Sequence, residues 1–297
     1  MSQVRVSRHE SGLGWWEMAT RDPDPVFAGH LLRLTGYIER TRVPLSRLEA
    51  PFSGIVVILS FDDELRLIDA AGRDELHRSF IAGLSDGPTL TEHQGVQHGM
   101  QIDLSPPAAR ALLGVPLSEL TNRVVSLEDV LGRPVTELLE RLYGRPNWNH
   151  RFDLVEQELA RRFTEAPRPP SAITAAWRRL CETGGNIEIA DLARELGYSR
   201  RRLSGRFTQE LGLSPKAFAR VLRFERATDR LARDDGARFA EIAQDCGYYD
   251  QAHMNRDFRE FAAISPSEYV GRTLPDGGGV AASDDVPFVQ DARAAAA

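Results

Sequence analysis

Ile189-Ala190-Asp191-Leu192-Ala193-Arg194-Glu195-Leu196-Gly197-Tyr198-Ser199, followed by Arg200-Arg201-Arg202-Leu203-Ser204-Gly205-Arg206-Phe207 and closed by Gly212-Leu213-Ser214-Pro215, decides how this chain is read. A second stretch repeats its plan: Ile242-Ala243-Gln244-Asp245-Cys246-Gly247-Tyr248-Tyr249-Asp250, then Gln251-Ala252-His253-Met254-Asn255-Arg256-Asp257-Phe258, closed by Ile264-Ser265-Pro266. Gly197 and Gly247 are 50 residues apart, and Phe207 and Phe258 are 51 apart. Self-similarity at such a period points to duplicated structure.

In each copy a short helix stops at glycine, which enters the left-handed conformation without steric cost. Ser199 and Asp250 stand where a helix N-cap is needed, each eight residues before the phenylalanine, so the extra residue of the second copy falls in the turn. Leu203 with Phe207, and Met254 with Phe258, are i,i+4 pairs that aim one apolar stripe at a small core. Ser214-Pro215 and Ser265-Pro266 read as cap and first turn of a further helix. The spacing therefore predicts two helix-turn-helix units. Between them, apolar Phe218, Val221, Leu222, Ala227 and Leu231 predict a connecting helix over Pro215–Arg233, about 27 Å long at 1.5 Å per residue. That length is compatible with two reading helices about 34 Å apart.

The polar face of each second helix follows from the apolar one. In the first copy it carries Arg201, Ser204, Gly205 and Thr208, flanked by Arg200, Arg202 and Arg206. In the second it carries Ala252, Asn255, Arg256 and Arg259, with Gln251 and His253 near the helix start. Arginine can donate two hydrogen bonds to guanine, and asparagine or glutamine can pair with adenine. Arginine runs alone are commonly solvated helix faces; on the second helix of two successive units they point to DNA.

Residues from about 171 to 272 resemble the DNA-binding domain of the AraC/XylS family of bacterial transcription regulators. The matching features are Gly197-Tyr198-Ser199, Leu203, Phe207, Gly212-Leu213-Ser214-Pro215, and Gly247-Tyr248 through Arg256, Phe258 and Ser265-Pro266. The resemblance implies a seven-helix domain whose two recognition helices read adjacent major-groove segments. It places base-reading positions on Arg201, Ser204 and Gly205 in the first helix, and on Gln251, Asn255 and Arg256 in the second. Gly205 departs from the family, which often has arginine there, and a glycine makes no side-chain contact.

At 297 residues the chain has room for two domains. Its net charge of −6 is unevenly placed. Residues 171–272 hold 17 Lys+Arg against 15 Asp+Glu, residues 1–170 hold 19 against 24, and the tail from Thr273 holds 1 against 4. Local arrangement governs phosphate contact more than total charge does. Cys181 and Cys246 have neither metal spacing nor a disulfide framework. Without a secretory signal or membrane-length apolar run, a cytoplasmic, nucleoid-associated location is expected. No cofactor is expected. Glu165-Ala166-Pro167-Arg168-Pro169-Pro170 reads as a linker, and the Gly/Ala/Asp-rich tail 273–297 as disordered.

Residues 1–164 read as a sensing or dimerisation domain. Segments 30–38, Ile55–Leu59, Leu65–Ile68, Ser79–Leu84 and Val96–Leu104 read as strands of a small antiparallel barrel or sandwich. Pro106–Leu113, Leu127–Leu131, Val135–Tyr143 and Asn149–Phe163 read as helices. The fold class is α+β, with an all-α C-terminal domain of two helix-turn-helix units joined by a long helix. Family resemblance, carried here by domain order and strand content, implies a cupin-like sensing domain followed by helices that often dimerise. Leu138, Leu139, Leu142, Val155 and Leu159 suit packing within one protomer as well as a dimer seam. His93 and His98, with Glu92 nearby, invite a metal, but the close His-x-His pair of metal-bearing cupins is missing.

The expected function is sequence-specific regulation of transcription in response to a small molecule, with double-stranded DNA, an effector, RNA polymerase and a homodimer as candidate partners. The alternative is a barrel enzyme or metal protein tethered to DNA by its C-terminal domain. DNA alkyl-transfer proteins with related units set a precedent, but they need a reactive cysteine.

Overall fold

The computed structural model describes residues 3–61, 64–145, 147–166, 171–233, 236–274 and 279–282. The N-terminal half is built on two sheets, in which every neighbouring pair of strands is antiparallel. The larger sheet comprises β1 (Arg5–Glu10), β2 (Gly14–Thr20), β3 (Leu31–Thr41), β5 (Ile55–Ser60), β8 (Phe80–Ala82), β10 (Val96–Leu104) and β11 (Val124–Ser126). Their spatial order is β1-β2-β3-β10-β5-β8-β11. The smaller sheet joins β4 (Leu45–Glu49), β6 (Leu65–Ile68), β7 (Asp74–His77), β9 (Thr89–His93) and β12 (Val280–Ala281) in the order β12-β4-β9-β6-β7. β5 is apolar on both faces and runs beside β10, whose Met100, Ile102 and Leu104 enter the core. The outermost strand, β1, is exposed along nearly its whole length and shows no buried face.

Four α-helices follow β10 in this half: α1 (Pro106–Leu113), which precedes β11, then α2 (Leu127–Leu131), α3 (Arg133–Tyr143) and α4 (Trp148–Glu165). Their bounds lie within two residues of those predicted. α4 is held to β2 and β10 by polar contacts, and its Phe152 and Val155 are buried in the core. Trp148 Nε1 donates to Glu17 Oε1 at 3.0 Å, and Arg151 Nη1 meets His98 Nε2 at 2.7 Å. Arg21, 4 % exposed, reaches both Asp153 and Glu156 at 2.6 Å. Burial, reinforced by Arg151, brings the His98 imidazole down to about 4. A neutral ring packed edge-on against Phe61 and Trp148 is structural. His93 goes elsewhere: Nε2 lies 3.4 Å from Glu39 Oε1 and Nδ1 accepts from the Gly95 amide. The two histidines invited as a metal pair thus serve different sites. Leu142, Val155 and Leu159 are buried in the protomer core, and Leu138 and Leu139 pack half-buried against it.

The C-terminal half is helical: α5 (Ser171–Glu182), α6 (Ile189–Glu195), α7 (Arg200–Leu211), α8 (Pro215–Leu231), α9 (Phe239–Asp245), α10 (Gln251–Ala262) and α11 (Pro266–Arg272). One continuous apolar core runs from the sheets through α4 and α5 to both helix-turn-helix units. Of the expected linker, α4 takes Glu165, and residues 167–170 lie outside the described residues. The tail departs from its expected disorder. Leu274 is buried, and Val280–Ala281 form β12 at the edge of the smaller sheet, antiparallel to β4. Local composition did not reveal this because the β4 edge supplies the hydrogen bonds that order the segment. Residues 283–297 lie outside the described residues.

Candidate nucleic-acid interface

The duplication seen in the sequence recurs atom by atom. In the first unit Gly197 takes φ +70°, its amide donates to Arg194 O at 3.1 Å, and the Tyr198 amide donates to Ala193 O at 2.9 Å. In the second Gly247 takes φ +83°, its amide donates to Gln244 O at 3.0 Å, and the Tyr248 amide donates to Ala243 O at 2.9 Å. This pairing closes the short helix through a left-handed glycine. The following helix is capped as predicted. Ser199 Oγ accepts from the Arg202 amide at 3.3 Å, and Asp250 Oδ1 from the His253 amide at 2.7 Å. Ser214 and Ser265 cap α8 and α11, each with proline in the first turn.

The inward face is dry. Leu203, Phe207, Met254 and Phe258 are fully buried. α8, 17 residues and so about 25 Å long, serves as the shared spine. Its Phe218 meets Phe207 of α7 with ring centroids 5.9 Å apart, and its Phe224 meets Phe258 of α10 at 4.8 Å. α7 and α10 therefore rest on one shared rod, at Phe218 and at Phe224.

The outward faces carry the sequence-predicted residues. Arg200, Arg201, Arg202 and Gly205 on α7 are exposed, and Ser204, Arg206 and Thr208 are half-buried. On α10, Gln251, Ala252, Arg256 and Arg259 are exposed, and His253 and Asn255 are half-buried. Several of these side chains already have work within the protein. The Arg202 guanidinium lies 5.2 Å from the Tyr198 ring centroid, and Arg206 Nη1 donates to Tyr198 Oη at 3.1 Å. The His253 ring sits edge-on to Tyr248, with centroids 5.2 Å apart. Asn255 Oδ1 is shielded and has no hydrogen-bond partner among the described residues. Arg200, Arg201, Arg256 and Arg259 make no ion pair among the described residues, so their charge faces outward. An added Cβ at Gly205 would meet nothing within 4 Å, so the glycine leaves a notch open to an approaching surface.

Sequence reasoning missed two features. Tyr249, in the turn just before α10, is 89 % exposed beside Gln251 and Ala252. An aromatic so fully presented next to the reading face is suited to a backbone or base contact. Its extra place in the second turn was visible, but not its exposure. The second feature is a division of labour among arginines. Arg220 Nη2 donates to the buried Asp257 at 2.7 Å, and Arg220 Nη1 donates to Glu260 at 2.9 Å, locking α10 to α8. Arg223 donates to Gly185 O and Arg226 to Asp245 O, both at 2.9 Å. These α8 arginines hold the scaffold.

Against known proteins, a family model described as a helix-turn-helix domain matches residues 192–272. Residues 192–272 form a helix-turn-helix domain of the AraC type. The chain is similar to the "Probable thc operon regulatory protein" of Rhodococcus erythropolis, 26 % identical over 186 residues, covering 60 % of this chain and 53 % of that protein. It is similar also to the arabinose operon regulatory protein of Escherichia coli K12, 29 % identical over 125 residues, covering 40 % of this chain and 42 % of that one. The chain spans about half the length of the curated relatives it matches. The structure of unsaturated-fatty-acid-bound ToxT from Vibrio cholerae strain SCE256 aligns with a TM-score of 0.50 at 11 % identity, over 84 % of this chain and 96 % of that one. That likeness shows the fold: antiparallel sheets followed by a helical domain of two helix-turn-helix units.

Proposed function

We propose that the chain is a sequence-specific DNA-binding regulator of transcription whose N-terminal half takes a small-molecule effector. One observation carries the first part: two capped helices on one spine, each presenting on its open face polar groups and arginines that make no ion pair among the described residues. In a helix-turn-helix the second helix enters the major groove, so α7 and α10 are the reading helices. Arg201 and Arg256 are the residues suited to bidentate contact with guanine, and Gln251 to contact with adenine; Asn255, whose Oδ1 is shielded, must turn its amide outward to do the same. Because the two faces differ, the operator is asymmetric.

The second part is supported by a cavity of about 350 Å³. Its lining joins Trp16, Tyr37 and Arg47 of the sheets to Phe224, Glu225 and Asp229 of α8. Burial brings the Glu225 carboxyl up to about 7, against a hydrogen bond from Ser53 that lowers it. A ligand there touches the sheets and the spine that carries both reading helices. RNA polymerase and a second copy of the chain are the protein partners of this reading. Its place is the cytoplasm, at the nucleoid. Among the described residues no helix is long and apolar enough to cross a membrane. The alkyl-transfer alternative needs an accessible thiolate. Cys246 is buried, and burial pushes the Cys181 thiol up to about 12.

Selection of duplexes from a random pool with the full chain tests the proposal. It predicts enrichment of one asymmetric sequence, bound with steep salt dependence. Failure to enrich any sequence at low salt refutes it.

A further inference from the structure

The segment after α11 does not lead away from the molecule. Thr273 bridges Val280, and the Leu274 amide donates to Gly279 O at 3.3 Å. β12 then pairs with β4, Val280 opposite Leu48 and Ala281 opposite Arg47, and the Ala282 amide donates to Ser46 O at 3.0 Å. Leu274, Val280 and Ala281 are at most 5 % exposed. Leu274 and Ala281 pack with Leu13, Trp16 and Leu45 in a small cluster separate from the main core. Gly279 has φ +77°, and a Cβ there would stand 2.7 Å from Leu48 O, so this seat requires glycine.

The first helix-turn-helix unit is fastened independently. Arg110 Nε of α1 meets Glu210 Oε2 of α7 at 2.9 Å, and the end of α7 lies on residues 117–121, where a Cβ on Gly212 would reach Thr121 Oγ1 at 2.8 Å. Both units are thus tied to the N-terminal half, one at α7 and the other through α11 and β12. The cavity shares residues with the second tie: Gly279 itself, Arg47 and Glu49 on β4, and Tyr269 on α11. Tyr269 also packs edge-on against Phe258 of α10, with centroids 5.6 Å apart.

We propose that β12 is a latch: closed, it holds the second helix-turn-helix unit to the sheets, and its release is the step through which the cavity governs DNA binding. The closed form is the weaker DNA binder, for two reasons. It keeps residues 1–170, which hold 19 Lys+Arg against 24 Asp+Glu, beside two helices that must approach phosphates. It also fastens α7 and the segment after α11 to the N-terminal half, which restricts their adjustment to a duplex. The latch is built to open. Two paired residues and three apolar side chains are a small local unit, the kind that opens without global unfolding. A ligand that parts β4 from α8 or α11 favours the open form, and by linkage DNA favours ligand entry. This inference rests on the DNA-binding reading above.

The test uses the full chain carrying Leu48→Cys and Val280→Cys. Opposed Cα atoms of an antiparallel pair fall within disulfide range. Affinity for the duplex recovered by selection is measured oxidised and reduced, alongside a Val280→Asp chain that cannot close. The oxidised form is expected to bind at least tenfold more weakly than the reduced form. Val280→Asp should bind at least as tightly as the parent, with its far-ultraviolet circular dichroism unchanged. Equal or tighter binding by the oxidised form overturns the latch, as does weaker binding by a folded Val280→Asp chain. A parent that binds no duplex refutes the DNA-binding reading instead. The latch is then judged by hydrogen exchange over residues 279–282. Protection in the parent that is lost in Val280→Asp upholds a closed latch, and exchange as fast in the parent as in the variant removes it.

Discussion

Arg256 stands exposed on the open face of α10 with no ion pair among the described residues, so its loss is read at the duplex rather than in the fold. Arg256→Ala is expected to weaken binding to the selected duplex by about 1–3 kcal/mol while leaving random duplexes nearly unchanged. Equal losses on both, by competition binding, would move Arg256 to the phosphate backbone. Gly205 offers the opposite case: a helix-interior glycine whose missing Cβ would touch nothing. Gly205→Ala should raise stability by about 0.5–1 kcal/mol in urea melts; destabilisation would mean that the notch is filled from within the protein. His98 titrates in the folded chain near 4, below its unfolded value of about 6.5. The unfolded chain therefore binds more protons between those values, and stability must fall as pH drops through that window. His98→Gln should flatten that part of the melting-temperature profile, and an unchanged slope would contradict the burial assigned to the ring.

At the scale of elements, helices were far more legible than strands. Ser199, Asp250, Ser214 and Ser265 mark helix starts by chemistry that acts within three residues, and each was found capping as read. Strands β1, β2, β4, β7, β9 and β11 escaped notice. Arg5–Glu10 shows no buried face to alternate with, and β12 exists only because β4 leaves an edge open. The candidate interface was legible as a set of helix positions, because one apolar stripe fixes the opposite face. Which arginines would be spent on the scaffold was not, since Arg220 finds Asp257 across 37 residues of chain. That contact yields a prediction. Arg220→Met strands a carboxylate only 2 % exposed, and it should cost about 2–4 kcal/mol in chemical denaturation. Specific DNA affinity should fall with it as α10 loses its seat. A loss below about 0.5 kcal/mol would show that Asp257 has other support.

Across the whole molecule, the acidic N-terminal half and helices α7 and α10 are one packed body. The core is continuous, Arg110 grips Glu210 on α7, and β12 returns from the last helix to the sheets. The cavity shares residues with β4, Gly279, α8 and Tyr269 of α11, and none with the Arg110–Glu210 contact. On the function proposed above, α7 and α10, resting on one spine, enter neighbouring turns of one duplex. Hydroxyl-radical footprinting of the full chain on its selected duplex tests this most directly. Two protected segments of unlike sequence are expected, about one helical turn apart on one face of the DNA. Arg201→Ala should erase one and Arg256→Ala the other. A single protected segment, or two that respond together to either substitution, would contradict it.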